Sequence, residues 1–207
     1  MDPAQNTDPT PRSSLPVAMQ VPNLLTYGRI IAVPLVGGAL LWDTEQSRWL
    51  AFALFALAAI TDFFDGWLAR AWHQQSALGR MLDPIADKLL VAGVLLMLTA
   101  NGTIEHAHVW AAFIILLREV LVSGLREFLG QLQVSVPVTW LAKWKTAIQL
   151  VAIGLLIIGP AASSLLPHAI EIGLAGLWIA ALLTLYTGYD YMRAGLRHVI
   201  RVDEEKH

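Results

Sequence analysis

Six long apolar stretches, separated by short polar breaks, dominate the chain. They lie at about residues 24–42, 49–71, 81–100, 108–128, 144–160 and 169–191. A helix needs roughly 20 residues to cross a hydrocarbon layer of about 30 Å, and each stretch is close to that length. The breaks consist of turn-forming and polar residues. The pattern predicts an all-α integral membrane protein with six transmembrane helices.

Lysine and arginine are distributed unevenly between the two sides of this predicted bundle. If both termini share one side, that side holds all of the 14 basic residues except two. Arg118 lies in the middle of the fourth stretch, and Arg48 falls on the opposite side. Basic segments next to membrane helices stay in the cytosol. We therefore expect both termini to be cytosolic.

Composition agrees with a membrane protein. Of 207 residues, 56% are hydrophobic and 14% are charged, whereas soluble domains carry roughly 25% charged residues. The net charge of −2 argues against a nucleic-acid partner. The chain has no cysteine, which excludes disulfides and thiolate metal sites.

We divide the chain into three segments. Residues 1–21 are rich in proline, serine, threonine and aspartate and are expected to form a disordered cytosolic tail. Residues 22–192 form the membrane domain. Residues 193–207 form a charged, largely basic cytosolic tail.

Four aspartates interrupt the second and third apolar stretches. Asp62 and Asp65 share one helical face, and so do Asp83 and Asp87. Counted from the outer ends of their helices, both pairs lie about 20 Å deep. One carboxylate there costs roughly 3 kcal/mol, so four together require cations. Oxygen ligands without cysteine favour Mg²⁺ or Mn²⁺ over zinc.

The alternative is a buried network of salt bridges to nearby bases, namely Arg70, Arg80 and Lys88. It gives no role to the small residues that follow the first pair of acids. The sequence also suggests that Asp83-Pro84 starts the third helix, because proline is favoured at the first helical position.

The aspartates belong to a longer string that runs from Asp62 to Asp87. It reads Asp-x2-Asp-Gly-x2-Ala-Arg-x8-Gly-x3-Asp-x3-Asp and resembles the signature of the CDP-alcohol phosphatidyltransferases. The resemblance covers about residues 22–192. It implies a six-helix membrane enzyme, usually dimeric, that transfers a phosphatidyl or similar group from a CDP-linked donor to an alcohol and releases CMP.

The resemblance also implies roles for individual residues. Two divalent cations would be bound by Asp62, Asp65, Asp83 and Asp87, and Asp87 would be the catalytic base. Gly79 would provide a turn, and Asn23 is equally well explained as a helix cap. The residues implied to bind the donor nucleotide are Asn23, Thr26, Gly66, Ala69, Arg70, Ser76 and Gly79.

Bases farther along the chain suggest the acceptor. Arg118 and Arg126 are eight residues apart, near one helical face, and could bind a phosphate together with Lys143 and Lys145. The run around them resembles the branch of the family whose acceptor is glycerol 3-phosphate. The alternatives are internal pairing of Arg118, with Glu119 or another acid, and lysines that only mark topology.

The resemblance therefore implies CDP-diacylglycerol and glycerol 3-phosphate as substrates, in a homodimer in the inner membrane of a bacterium with its site facing the cytosol. The same chemistry with inositol phosphate or phosphatidylglycerol as acceptor is the nearest alternative. A divalent-cation transporter that uses the aspartates as its pathway is the remote one.

Overall fold

A computed structural model describes residues 21–72, 77–131 and 140–204. Within these ranges it leaves out the side chains of residues 21, 22, 63–72, 77, 78, 80, 131, 142 and 197–204. The N-terminal tail predicted for residues 1–21 therefore lies outside the described residues, except for Val21, which opens the first helix.

The described residues form six α-helices and one short 3-10 turn, with no strand among them. The 3-10 turn, His106–His108, precedes the fourth helix. The helices are α1 (Val21–Trp42), α2 (Glu45–Trp72), α3 (Ala77–Ala100), α4 (Val109–Gln131), α5 (Trp140–Ile158) and α6 (Ala169–Glu204). Each corresponds to one predicted apolar stretch, so the all-α class and the six helices of the prediction are confirmed.

The helices form two groups of three. In one group α1 packs against α2 and α3, and in the other α6 packs against α4 and α5. The α5–α6 contact is close because small residues face each other: a Cβ on Gly176 would lie 3.0 Å from the Cβ of Ala152. α2 and α5 join the groups, whereas α3 has few contacts with α4 or α5. A cleft therefore remains beside α3.

Among the described residues, three helical segments are long and apolar enough to cross a membrane, by length and composition alone. They are Asn23–Trp42, His106–Gly130 and Ala169–Leu196. The other three helices carry the aspartates of the signature string or the lysines of the predicted acceptor site. Six crossings and the cytosolic location of both termini thus stay predictions.

The start of α3 differs from the prediction. The helix begins at Ala77, so Pro84 lies inside it and Gly79 belongs to its first turn. The expectation that Asp83-Pro84 starts the helix was wrong, and so was the turn expected at Gly79. Thr26 of α1 donates a hydrogen bond to Asp83. The helix thus continues through a proline, which removes one backbone hydrogen bond, next to a residue that is bonded to another helix.

The last helix is longer than predicted. α6 has 36 residues, or about 54 Å, and it continues through residues 193–204 of the segment assigned to the C-terminal tail. Contacts with the end of α4 accompany this extension: a Cβ on Gly195 would lie 3.1 Å from Leu125 and Leu129. The Arg126 guanidinium also lies 5.8 Å from the centre of the Tyr191 ring.

Arg48, the basic residue on the side opposite the termini, connects three segments of that side. Its side chain is 4% exposed. Its guanidinium is ion-paired with Asp43, donates to the carbonyl oxygen of Ile157 at 3.2 Å, and donates to the hydroxyl of Thr103 at 3.0 Å. It thereby joins the α1–α2 connection, the end of α5 and the segment before α4. This structural role explains why Arg48 lies on the side of the bundle where few basic residues are expected.

We expect Arg48→Met to destabilise the protein. The substitution removes the three contacts and leaves the buried carbonyl oxygen of Ile157 without this donor, a cost on the order of 2 kcal/mol. The midpoint of thermal unfolding of the purified protein in detergent would measure it. Arg193→Met, at an exposed position of α6, is the matched control and should change the midpoint little. An unchanged midpoint for Arg48→Met would show that these contacts contribute nothing.

Candidate active site

A polar stripe on α1 faces the aspartates of the next two helices. Asn23, Thr26 and Arg29 are spaced three residues apart, so they follow one face of an otherwise apolar helix. All three are buried, and Arg29 is only 2% exposed. Asn23 lies inside the first described turn of α1, so it is not the cap of that helix. The stripe therefore faces protein, where α1 packs on α2 and α3.

Arg29 joins two aspartates from different helices. Its Nη1 atom lies 2.5 Å from a carboxylate oxygen of Asp62 on α2 and 2.5 Å from one of Asp87 on α3. The two oxygens are therefore at most about 5 Å apart. Asp62 and Asp87 are themselves about half exposed. A buried positive charge thus draws the two acids together and offsets their mutual repulsion.

Thr26 positions a third aspartate. Its hydroxyl donates to a carboxylate oxygen of Asp83 at 2.5 Å. Asp83 lies one turn before Asp87 on α3, and both side chains face the same cleft. The structure therefore joins Asp62 and Asp87 through Arg29 and places Asp83 one turn from Asp87.

A cavity of about 420 Å³ lies in the cleft beside α3. Its lining residues are Asp83, Pro84, Asp87, Lys88 and Val91 of α3, Arg118, Glu119 and Arg126 of α4, and Lys145, Thr146 and Gln149 of α5. The aspartates thus lie on one wall, and three of the four bases lie on the wall that faces it. The predicted acid and phosphate-binding regions share a single cavity.

Glu119 organises the basic wall. Its carboxylate lies 3.2 Å from the guanidinium of Arg118 and is also ion-paired with Lys145 of α5. The internal pairing weighed as an alternative for Arg118 is therefore present. Both bases nevertheless line the cavity, so the pairing positions them beside it.

α6 supports Arg118 from behind. The guanidinium donates to the hydroxyl of Thr187 at 3.2 Å. The next residue is Gly188, and a Cβ there would lie 3.0 Å from the Cγ of Arg118. The absence of a side chain at Gly188 leaves room for the arginine to pass α6 and reach the cavity.

The remaining predicted acceptor residues differ in placement. Arg126 lines the cavity and stacks on Tyr191. Lys143 is exposed, and the described lining of the cavity does not include it. Lys145, two residues later, is buried and lines the cavity. The structure therefore separates the two lysines that the sequence treated alike.

Several predicted residues cannot be placed. Asp65, Gly66, Ala69 and Arg70 belong to α2, but their side chains lie outside the described residues, and Ser76 lies outside them entirely. Gly79 is buried in α3. Of the bases weighed as salt-bridge partners, Arg70 and Arg80 have undescribed side chains, whereas Lys88 lines the cavity. The ion pairs that are present involve a different base, Arg29.

Three polar residues of the site escaped the sequence analysis. Arg29 was counted among the bases that mark the cytosolic side, although its spacing of three from Thr26 was a signal. Glu119 was considered only as a partner of Arg118. Gln149, four residues after Lys145 on an apolar helix, was visible as an isolated polar position. Its place in the cavity could not be read from spacing alone.

Comparison with known proteins assigns the family. The family model for CDP-alcohol phosphatidyltransferase matches residues 19–186, which is most of the chain. The protein belongs to this family, and the resemblance inferred from the signature string is confirmed.

Curated relatives cover nearly the same region. A protein of Rickettsia bellii is 45% identical over 174 residues, which span 84% of this chain and 94% of the relative. One from Cereibacter sphaeroides is 40% identical across 86% of this chain and 96% of its own length. One from Escherichia coli K12 is 37% identical across 84% and 93%. All three are named CDP-diacylglycerol–glycerol-3-phosphate 3-phosphatidyltransferase.

We expect both substitutions of Arg29 to lower the stability of the protein. Arg29→Lys should be less stable than the wild type, and Arg29→Met should be the least stable. Lysine keeps the charge but lacks the planar fork of arginine. Methionine leaves two neighbouring acids without their partner, at a cost of roughly 1–3 kcal/mol, since both acids are half exposed and solvent screens their repulsion. Thermal unfolding in detergent measures the order, with Arg193→Met as the exposed control. A methionine variant as stable as wild type would contradict a counter-charge role for Arg29.

Proposed function

We propose that the protein transfers a phosphatidyl group from CDP-diacylglycerol to glycerol 3-phosphate, producing phosphatidylglycerophosphate and CMP. The observation that carries the proposal is one cavity with aspartates on one wall and paired bases on the other. The names of the relatives support the substrates, and family membership supports the reaction class.

The basic wall favours an acceptor that carries a phosphate. Arg118, Arg126 and Lys145 converge on a small volume beside the aspartates, and guanidinium groups bind phosphate oxygens in a bidentate manner. Glycerol 3-phosphate has a phosphate at one end and a primary hydroxyl at the other. With its phosphate on this wall, its hydroxyl points across the cavity toward Asp83 and Asp87.

In the proposed reaction Asp87 acts as the general base. It accepts the proton of the primary hydroxyl, and that oxygen attacks the phosphorus that bears the diacylglycerol. The bond from this phosphorus to the bridging oxygen of the pyrophosphate breaks, and CMP leaves with that oxygen. Arg29, in contact with Asp87, keeps the base directed toward the site.

Divalent cations are proposed as cofactors. Among the described side chains no group of three acids or histidines is arranged to hold a metal. The chemistry of the donor set nevertheless fits Mg²⁺ or Mn²⁺, because Asp62 and Asp87 offer neighbouring carboxylate oxygens. We propose that Asp62, Asp65, Asp83 and Asp87 hold two such ions. When bound, the ions would offset the negative charge of the pyrophosphate and of the departing CMP.

The donor nucleotide is assigned to the opposite part of the site. By family membership we propose that it is bound by Asn23, Thr26, Gly66, Ala69, Arg70, Ser76 and Gly79. Asn23, Thr26 and Gly79 are buried, and Thr26 donates a hydrogen bond to Asp83. A homodimer is proposed on the same ground alone.

We expect Asp87→Asn to lower turnover by roughly 10²–10⁴-fold, the usual contribution of a general base. The assay incubates purified enzyme with labelled CDP-diacylglycerol and one candidate acceptor at a time. CMP and the lipid products are then separated and measured. Magnesium binding, followed by calorimetry, should weaken only in part. Asp190→Asn, at an exposed position of α6, is the matched control.

Two results of this assay would count against the proposal. Near-normal turnover by Asp87→Asn would remove Asp87 as the base. Preference of the wild-type enzyme for inositol phosphate or phosphatidylglycerol over glycerol 3-phosphate would replace the acceptor. Ion flux through vesicles without nucleotide would favour the transporter alternative instead.

We also propose six membrane crossings, in the inner membrane of a bacterium, with the site facing the cytosol. Exposed tryptophans support two interfaces: Trp42 and Trp110 at one set of helix ends, and Trp140 and Trp144 at the other. Since the chain has no cysteine, single cysteines report topology without background.

In spheroplasts, a membrane-impermeant maleimide should label Ser164→Cys, in the exposed connection between α5 and α6. It should label Gly130→Cys, exposed near the end of α4, only after permeabilisation. Each variant serves as the control for the other. Labelling of the denatured protein shows that both cysteines can react with the maleimide. Labelling in the reverse order would contradict the proposed orientation.

A further inference from the structure

The amide of Gln149 lines the same cavity and is almost completely enclosed. Gln149 is 3% exposed, and its Oε1 atom has no hydrogen-bond partner within the part of the chain that the structure describes. The residue lines the cavity together with Lys145 and Thr146 of α5. Gln149 therefore borders the cavity and carries a buried carbonyl oxygen whose hydrogen-bonding capacity is unused by the described residues.

An unpaired buried oxygen of this kind indicates a place where a ligand binds. Buried polar atoms of folded proteins nearly always have partners, and leaving one without a partner is costly. Two of the bases on this wall, Arg118 and Lys145, are paired with the carboxylate of Glu119. The amide of Gln149 adds an acceptor that the described residues leave without a partner.

The position of Gln149 identifies which part of the acceptor it would meet. Gln149 lies one turn, about 6 Å, farther along α5 than Lys145, on the same face. Asp87 lines the cavity from α3, opposite them. An acceptor that extends from the bases to Asp87 crosses the cavity that Gln149 also lines, with the middle of its carbon chain between the two ends.

We propose that Gln149 determines acceptor specificity by accepting a hydrogen bond from the hydroxyl on the middle carbon of glycerol 3-phosphate. The inference rests on the proposed function, because it takes the phosphate to the basic wall and the primary hydroxyl to Asp87. Gln149 then distinguishes a three-carbon acceptor with a central hydroxyl from one without it.

The test compares two acceptors that differ in this hydroxyl alone. Glycerol 3-phosphate and 1,3-propanediol monophosphate have the same phosphate and the same primary hydroxyl, but the second lacks the middle one. Loss of one hydrogen bond to a buried group lowers a binding constant or a rate constant by about 10- to 100-fold. Wild-type enzyme should therefore favour glycerol 3-phosphate by that factor in kcat/KM.

Gln149→Leu should bring the ratio of the two kcat/KM values close to one. The change should come from poorer use of glycerol 3-phosphate, with the analogue affected only a few-fold. Thr184→Val is the matched control: Thr184 is fully buried on α6, its hydroxyl has no partner among the described residues, and it does not line this cavity. That variant should keep the wild-type ratio.

Gln149→Asn provides a second variant in case leucine disturbs folding. It keeps an amide but draws it back by one carbon, so it should give an intermediate ratio. Equal losses on both acceptors in either variant would assign Gln149 to the phosphate or to structure alone and overturn the inference. So would a wild-type enzyme that uses both acceptors equally well. A wild-type enzyme that uses neither would reject the proposed acceptor itself, which is a distinguishable result.

Discussion

The structure depends on a buried positive charge that offsets two half-exposed carboxylates. Asp62 and Asp87 come from different helices, and each lies 2.5 Å from the same nitrogen of Arg29 on a third helix. Without that charge the acids would repel each other across the space between α2 and α3. The guanidinium therefore connects α1, α2 and α3 electrostatically at the place where their apolar packing is interrupted. It also directs carboxylate oxygens from two helices toward one another.

On the opposite wall of the cavity the charges are reversed. There the buried groups are bases, Arg118 and Lys145, and the group between them is a single carboxylate, Glu119. On each wall a single group of opposite charge thus offsets part of the repulsion, so the helices can pack before any substrate binds. The described lining of the cavity still carries four bases against three acids. A phosphate-bearing acceptor therefore finds a small excess of positive charge, already positioned, on one wall.

Helix number and the aspartate cluster could be predicted from the sequence because both depend on local spacing. Six apolar stretches correspond to six helices, and carboxylates three or four residues apart necessarily share a face. Contacts between helices could not be predicted from local spacing. Arg29 was visible as a basic residue near a helix start, but nothing in its neighbourhood specified that its face would meet Asp62 and Asp87. Pro84 shows the same limit, since a bond from Thr26 to Asp83 accompanies a helix that continues through a proline.

The distribution of arginines illustrates how burial separates residues that look alike in sequence. Arg48 stabilises the end opposite the site, where it bonds Asp43, Thr103 and the carbonyl of Ile157. Arg29 and Arg118 are also largely buried, yet each contacts a group that lines the cavity: Asp87 in one case and Glu119 in the other. Because a buried guanidinium needs several acceptors, the identity of those acceptors decides its role. Acceptors in loops and helix ends make Arg48 structural, whereas acceptors that are themselves reactive or substrate-facing make Arg29 and Arg118 parts of the site.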